Sequence, residues 1–336
     1  MMVSQWWNAG LMESDSMKRA GWILLILAAT LLAAFLVFRT PDTDPAAMRA
    51  KYAGPPSQFV TLPDGLTVHL RDEGPRGAPV ILLLHGSNAD LSAWDDWAAR
   101  LKDQYRIVRY DQIGHGLTGP APDGDYIQAA FAGTIDQVAD TLGIDRFVLG
   151  GNSMGGGIAL AYALNHPQRL DGLVLVDAAG APVRREGGGN IGFTLARMPG
   201  INRLMTQITP RTLVERSLRQ SVSNTAIVTP ASVDRYWEML RYPGNRAATA
   251  ARFGRKREPF TEKAVQNMAV PTLVMWGQED AFIPYAAAGW FAKNLPAATS
   301  VSYPQIGHLP MQEAPDASAA DLRRWLGKLP LTTQTR

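Results

Sequence analysis

The sequence predicts an α/β protein: a mostly parallel, doubly wound sheet with an inserted helical cap, preceded by one N-terminal transmembrane helix. Three observations predict it. Short apolar, β-branched runs alternate with helix-compatible stretches over 58–180 and again over 268–330. Over 181–267 that rhythm breaks, and helix-like segments separated by Pro and Gly replace buried strands. Residues 20–38 are apolar throughout apart from Gly21 and Thr30.

The apolar stretch 20–38 would span roughly 28 Å as a helix, close to a bilayer core. Lys18 and Arg19 precede it, Trp22 sits at an interfacial position and Arg39 follows, as in a signal anchor. A cleaved signal peptide is the alternative, but the stretch is long for one and has no small-x-small site before Pro41. Basic residues tight against the span favour a cytoplasmic N-terminus, which puts the catalytic domain outside the cytoplasm in a single-pass membrane protein. Residues 1–19 form an N-terminal extension to the span; Met17-Lys18-Arg19 reads as a natural start, with residues 1–16 upstream of it and lacking a readable fold. Residues 39–57, with Pro41, Pro45, Pro55 and Pro56 among charges, read as a linker.

Gln58–Leu62, turning at Pro63-Asp64-Gly65 into Leu66–Arg71, reads as an antiparallel hairpin. Val80–Leu84 is a strand buried on both faces, followed by a helix over Trp94–Leu101 and a strand over Tyr105–Tyr110. Phe131, Ile135, Val138 and Leu142 mark an amphipathic helix. A strand, a helix to Asn165 and the strand Gly172–Val176 complete the first half. Cap helices are expected near Ile201–Gln207, Thr212–Gln220 and Ser232–Leu240. The sheet resumes with Thr272–Trp276 and a strand near Thr299–Tyr303, and the helix Ala314–Leu326 closes it.

The net charge is only +3 at a pI near 9.1, so composition gives no support for nucleic-acid binding. Arg252, Arg255, Lys256 and Arg257 form the densest basic cluster and read as a solvated face without function. The absence of cysteine excludes disulfides, thiolate metal sites and cysteine nucleophiles, and leaves the compartment's redox state open.

Chemistry centres on Gly151-Asn152-Ser153-Met154-Gly155, which joins an apolar strand to a helix. A G-x-S-x-G match in that context is a nucleophile elbow, a tight turn lifting a serine hydroxyl above a sheet edge. On its own it also fits a serine at a helix N-cap. A serine nucleophile needs a base, an acid to orient that base, and donors for an oxyanion. Asp280 follows the strand Thr272–Trp276, and His308, the only histidine after it, follows the next strand. Glu279 and Asp177 are rivals for the acid, and His115 is a distant second for the base. His85 and His115 read as loop-shaping, His69 and His166 as surface or core-rim residues. The main-chain N–H groups of Met154 and Ser87 are the candidate oxyanion donors.

Leu84-His85-Gly86-Ser87, Tyr110-Asp111-Gln112-Ile113-Gly114-His115-Gly116, the Ser153 turn, Trp276-Gly277-Gln278-Glu279-Asp280 and Gly307-His308 together resemble the α/β-hydrolase family over about 58–326. The Asn before the serine and Met-Gly-Gly after it resemble ester hydrolases and, less closely, meta-cleavage-product hydrolases that cut carbon–carbon bonds. The latter usually carry Trp after the histidine, where this chain has Leu309. Capped relatives with an aspartate nucleophile are disfavoured by Ser153.

The resemblance implies a carboxylic ester hydrolase working through an acyl-enzyme on Ser153, with no cofactor or metal, and the stretch 20–38 would anchor it in a membrane. Its substrate would be an apolar small-molecule ester; Phe193, Met198, Met205, Tyr236 and Trp237 of the cap either line an apolar pocket for it or, as residues at helical spacing more often do, form the cap's own core. Other serine-site chemistry (carbon–carbon hydrolase, amidase, perhydrolase, lyase) is the alternative, and a non-catalytic ligand-binding protein a remote one.

Overall fold

The computed structural model describes residues 3–183, 194, 198, 200–255 and 258–334, with backbone alone for 3–16 and 202. It divides into two units. The first holds the residues up to Pro41 together with Gln207–Pro210. Its main element is one helix, Val3–Phe38, which begins well upstream of the apolar stretch. Met17–Phe38 is long and apolar enough to cross a bilayer, with a mean hydropathy of 2.6 and none of it buried. Within this unit the Thr40 N–H donates to the Gln207 carbonyl at 2.8 Å, and the Thr209 N–H to the Thr40 hydroxyl at 2.6 Å.

The second unit is built on an eight-stranded sheet. Its strands are β1 (Ser57–Thr61), β2 (Thr67–Glu73), β3 (Val80–Leu84), β4 (Arg106–Tyr110), β5 (Phe147–Asn152), β6 (Leu170–Val176), β7 (Thr272–Gly277) and β8 (Ala298–Tyr303). Their spatial order is β1-β2-β4-β3-β5-β6-β7-β8, with β2 antiparallel to both its neighbours and all other pairs parallel. Alternation along β3 shows why both faces are covered. Val80, Leu82 and Leu84 join one core with the helices Gln128–Thr141, Met154–Asn165 and Ala286–Asn294. Ile81 and Leu83 join a second core with Trp94, Trp97 and Leu101 and with Leu322 and Trp325 of the helix Pro315–Leu326. The apolar run Val80–Leu84 is thus continuous because each face has its own helical layer.

Element order follows the sequence expectation, and the differences are local. The expected helix Trp94–Leu101 is a 3₁₀ turn, Leu91–Trp94, followed by an α-helix, Asp95–Leu101; the Asp90 carboxylate caps the turn through the Ser92 N–H. Inside the segment read as a linker, Asp44 caps a helix over Pro45–Tyr52. Its Met48 packs in a small apolar cluster with Leu117, Met239 and Tyr242. One buried side chain in eight residues is too weak a period to be read as a helix.

Between β6 and β7 the described elements are helices: Ile201–Met205, Arg211–Ser221, Pro230–Leu240, Asn245–Gly254 and Glu262–Val265. Arg235 of the third makes a two-pronged contact with Asp90, from Nε at 2.9 Å and Nη2 at 2.9 Å. His69, expected near the surface, is fully buried: its Nδ1 meets Asp111 Oδ2 at 2.7 Å and its Nε2 meets Ser57 Oγ at 2.9 Å. The strand that carries it, β2, is not an edge but pairs with β1 and β4 on either side, and the imidazole can be buried because Asp111 satisfies it and Phe59 stacks on it. Of the expected pocket residues, Phe193 lies outside the described residues, Met198 is exposed, and the Arg241 guanidinium stacks on Trp237.

Candidate active site

Ser153 stands between β5 and the helix Met154–Asn165 with φ 54° and ψ −117°, a conformation few side chains adopt. It occupies the N-cap position, yet its side chain makes no capping bond. The simple capping role is therefore absent. The turn is held from three sides: the Ser153 N–H donates to the Val176 carbonyl at 3.0 Å, and the Ser153 carbonyl accepts from Gly157 at 3.1 Å and Ala179 at 2.9 Å. A Cβ at Gly155 would collide with the carbonyl oxygens of Leu84 and His85, so the helix start can press against the end of β3 only as glycine. The loop after β3 lies equally close. A Cβ at Gly86 would come within 3.3 Å of the Ser153 Cβ.

The candidate acid and base meet after the ends of β7 and β8. The His308 Nδ1 lies 2.7 Å from Asp280 Oδ2, with the Asp280 side chain fully buried and that of His308 nearly so. The other Asp280 oxygen accepts the Phe282 and Ile283 N–H groups at 2.7 and 3.0 Å. Phe282 sets its ring edge-on to His308, 5.2 Å between centroids. The Asp280 carboxylate is thus locked by its own turn and offers one oxygen to the imidazole. Among the described residues no hydrogen bond joins the Ser153 hydroxyl to the His308 ring. Such contacts commonly close only around a substrate.

The rivals fall out differently. Asp177, at the end of β6 with φ 45°, is fully buried and accepts the Gly277 N–H at 3.0 Å. One ligand atom from each of Asp177, Asp280 and His308 lies within 4.8 Å of the others. Burial, and then the Asp280 charge, push the Asp177 carboxyl well above the usual carboxylate range, which favours its neutral form. His85 and His115 shape loops. The His85 Nδ1 faces the Gly86 carbonyl at 2.8 Å and its Nε2 accepts the Gln112 N–H at 3.0 Å. The His115 Nδ1 lies 3.0 Å from the Ile113 carbonyl.

Ser87 and Met154 are in contact, the Ser87 hydroxyl donating to Met154 Sδ at 3.3 Å. Met154 opens a helix, where main-chain N–H groups lack intrahelical partners, so the two segments can offer donors to one anion.

Two supports escaped the sequence reading. The Asn152 side-chain amide donates to the main-chain oxygens of Val176 (3.2 Å) and His308 (3.1 Å). Glu313 accepts the Gly307 N–H at 2.8 Å and the Ser223 and Asn224 N–H groups at 2.7 and 3.0 Å, while Ser221 accepts the His308 N–H at 2.8 Å. The histidine loop is thereby bolted both to the serine strand and to the segment after the helix Arg211–Ser221. Asn152 sits inside the quoted motif, but nothing in its spacing names a partner 156 residues away.

The chain belongs to the α/β-hydrolase family: the family profile for the alpha/beta hydrolase fold matches residues 79–315. A 2-hydroxymuconate semialdehyde hydrolase of Pseudomonas putida is 32% identical over 273 residues, covering 78% of this chain and 91% of that one. Among solved structures, a membrane phospholipase A described as a bacterial virulence factor is 27% identical with a TM-score of 0.68, over 92% of this chain and 97% of that one. A thermophilic esterase of Thermogutta terrifontis is also 27% identical, with a TM-score of 0.67 over 81% and 98% of the two chains.

Proposed function

We propose that this protein is a membrane-anchored serine hydrolase acting on carboxylic esters with an apolar acyl or alcohol part. The observation that carries the reading is the buried 2.7 Å contact between Asp280 and His308, tied through Asn152 to the strained turn of Ser153. Ser153 Oγ adds to the ester carbonyl carbon as its proton passes to His308 Nε2, and Asp280 steadies the imidazolium through Nδ1. The carbonyl oxygen becomes an oxyanion and accepts the Met154 and Ser87 main-chain N–H groups. Collapse expels the alcohol, which takes the proton from His308. Water then repeats the sequence on the acyl-enzyme, releasing the acid and restoring Ser153. Met17–Phe38 would cross the membrane with the N-terminus in the cytoplasm and the hydrolase outside.

Likeness to a membrane phospholipase A over 92% of the chain supports an ester substrate at a membrane, and Leu309, in place of the Trp usual after the histidine of carbon–carbon hydrolases, supports an ester over a carbon–carbon bond. The second reading, hydrolysis of a carbon–carbon bond, is favoured by the 32% identity to the Pseudomonas putida hydrolase. Full-length protein in detergent should label with a fluorophosphonate, lose labelling in Ser153→Ala, and turn over p-nitrophenyl esters of medium chain length. Turnover confined to 2-hydroxy-6-oxo-dienoates would establish the second reading instead. Failure of folded protein to label would remove both.

A further inference from the structure

Arg252 was read from the sequence as part of a solvated basic face. It is not. Its relative exposure is 2%, whereas Arg255 reaches out to Asp125 at 2.9 Å, and Lys256 and Arg257 lie outside the described residues. Asn245, Ala248 and Arg252 share the buried side of the helix Asn245–Gly254, at the spacing of one helical face. That helix carries the guanidinium to the two segments that flank Ser153.

Arg252 Nη1 donates to Met154 Sδ at 3.1 Å. Nη2 donates to Thr249 Oγ1 at 2.9 Å and approaches Asn88 Oδ1 at 3.4 Å, and the Thr249 hydroxyl donates to that same Asn88 oxygen at 3.0 Å. Asn88 directly follows Ser87 and holds φ 59°, a left-handed conformation that the Arg252 and Thr249 donors help to keep. One planar fork thus touches the first residue of the helix after the serine and the residue after Ser87. These are the two segments assigned to the oxyanion. The charge also reaches His115: burial, and then Arg252, hold its imidazole well below its usual range.

We propose that Arg252 is a positioning residue for the oxyanion site, a buried cation delivered by the cap that aligns the Ser87 and Met154 segments and biases their field toward a developing negative charge. This rests on the serine-hydrolase reading. An aligned cation acts on the charge that appears in the transition state and hardly on the neutral ester. Its removal therefore lowers kcat and leaves KM.

The test compares full-length wild type, Arg252→Gln, Arg252→Lys and Thr249→Val with a p-nitrophenyl ester and a trifluoromethyl ketone that mimics the oxyanion. Arg252→Gln should lower kcat about 10- to 100-fold, a fraction of the loss from deleting a direct donor, with KM within about twofold. Ketone affinity should fall in parallel. Arg252→Lys, which keeps the charge, should recover to within about fivefold of wild type. Wild-type kcat in a folded Arg252→Gln, or a raised KM with kcat unchanged, would overturn the proposal. If Arg252→Gln does not fold, Thr249→Val decides: it should lower kcat and ketone affinity together, about three- to fivefold, and no change in either would overturn the proposal. Wild-type turnover that survives Ser153→Ala would fail the underlying reading and this inference with it, whereas Ser153-dependent turnover indifferent to Arg252 fails this inference alone.

Discussion

The side-chain amide of Asn152 donates to the main-chain oxygen of His308 at 3.1 Å, inside the core and across 156 residues of chain. The residue before the serine thus sets the height of the histidine loop. Asn152→Ala takes that donor from the His308 carbonyl and leaves the Val176 carbonyl with the Ser153 N–H alone, and should cost about 1–3 kcal/mol in urea denaturation. Displacement of the base should lower kcat roughly 10- to 100-fold on an ester substrate. Wild-type kcat at reduced stability would assign Asn152 to the fold alone.

The turn at Ser153 stores strain. Glycine tolerates φ 54° and ψ −117° far better than alanine does, so Ser153→Gly should exceed Ser153→Ala in stability by about 1 kcal/mol while both lose ester turnover. Equal denaturation midpoints would show that the surrounding hydrogen bonds, rather than the missing side chain, set the cost.

Asp177 and Asp280 are chemically alike, but only Asp280 meets the His308 ring at hydrogen-bond distance. Asp177, pushed toward its neutral form, is matched in shape and charge by asparagine, so Asp177→Asn should keep kcat/KM within about threefold. Asp280→Asn should lose about 10⁴-fold, as expected when the orienting carboxylate of a serine triad is neutralised. Reversal of that order would make Asp177 the orienting acid.

Burial holds His85 and His115 below their usual value of 6.5, both neutral in the folded chain. With the folded pKa lowered, the unfolded chain takes up protons first as pH falls. Stability is therefore present above about pH 6.5 and is lost below it, by up to about 1.4 kcal/mol per pH unit for each histidine. Urea denaturation from pH 7.5 to 5 should show that slope, and His115→Gln should flatten it. An unchanged slope would place the proton uptake elsewhere.

Arg235 fastens the helix Pro230–Leu240 to the loop after β3 through Asp90, which is 2% exposed. Burial alone would raise the Asp90 carboxyl, but Arg235 more than offsets it and holds it below the usual range. Arg235→Met strands that charge and should destabilise by about 3 kcal/mol, and Arg235→Met with Asp90→Leu should recover most of the loss. Thermal and urea melts of the three proteins would check this; additive losses would rule out coupling.

Much of the sheet was legible because a strand buried on both faces must be apolar throughout, and Val80–Leu84 and Phe147–Leu149 announce themselves that way. The turn around Ser153 was legible for a similar reason, since close approach of helix to strand demands Gly155 and reads directly as G-x-S-x-G. The helix Pro45–Tyr52 was not, because it buries mainly Met48 and its prolines and charges mimic a linker. Arg252 was misread for a deeper reason: a charged run says nothing about which member faces inward, and the 245, 248, 252 spacing is visible only once helix bounds are known.

The sequence by itself determined the order of strands and helices, the apolar stretch 20–38, and the succession of Ser153, Asp280 and His308 at strand ends, because each rests on local periodicity or on neighbours a few residues apart. Tertiary structure decided which acid faces the imidazole, which acid is pushed toward its neutral form, and which arginine of a basic run is taken inside. Those outcomes depend on burial and on partners brought together from 28 residues apart, as Asp280 and His308 are, to 164 apart, as Arg252 and Asn88 are; the free energy of a charge is set there by what surrounds it rather than by what precedes it in the chain.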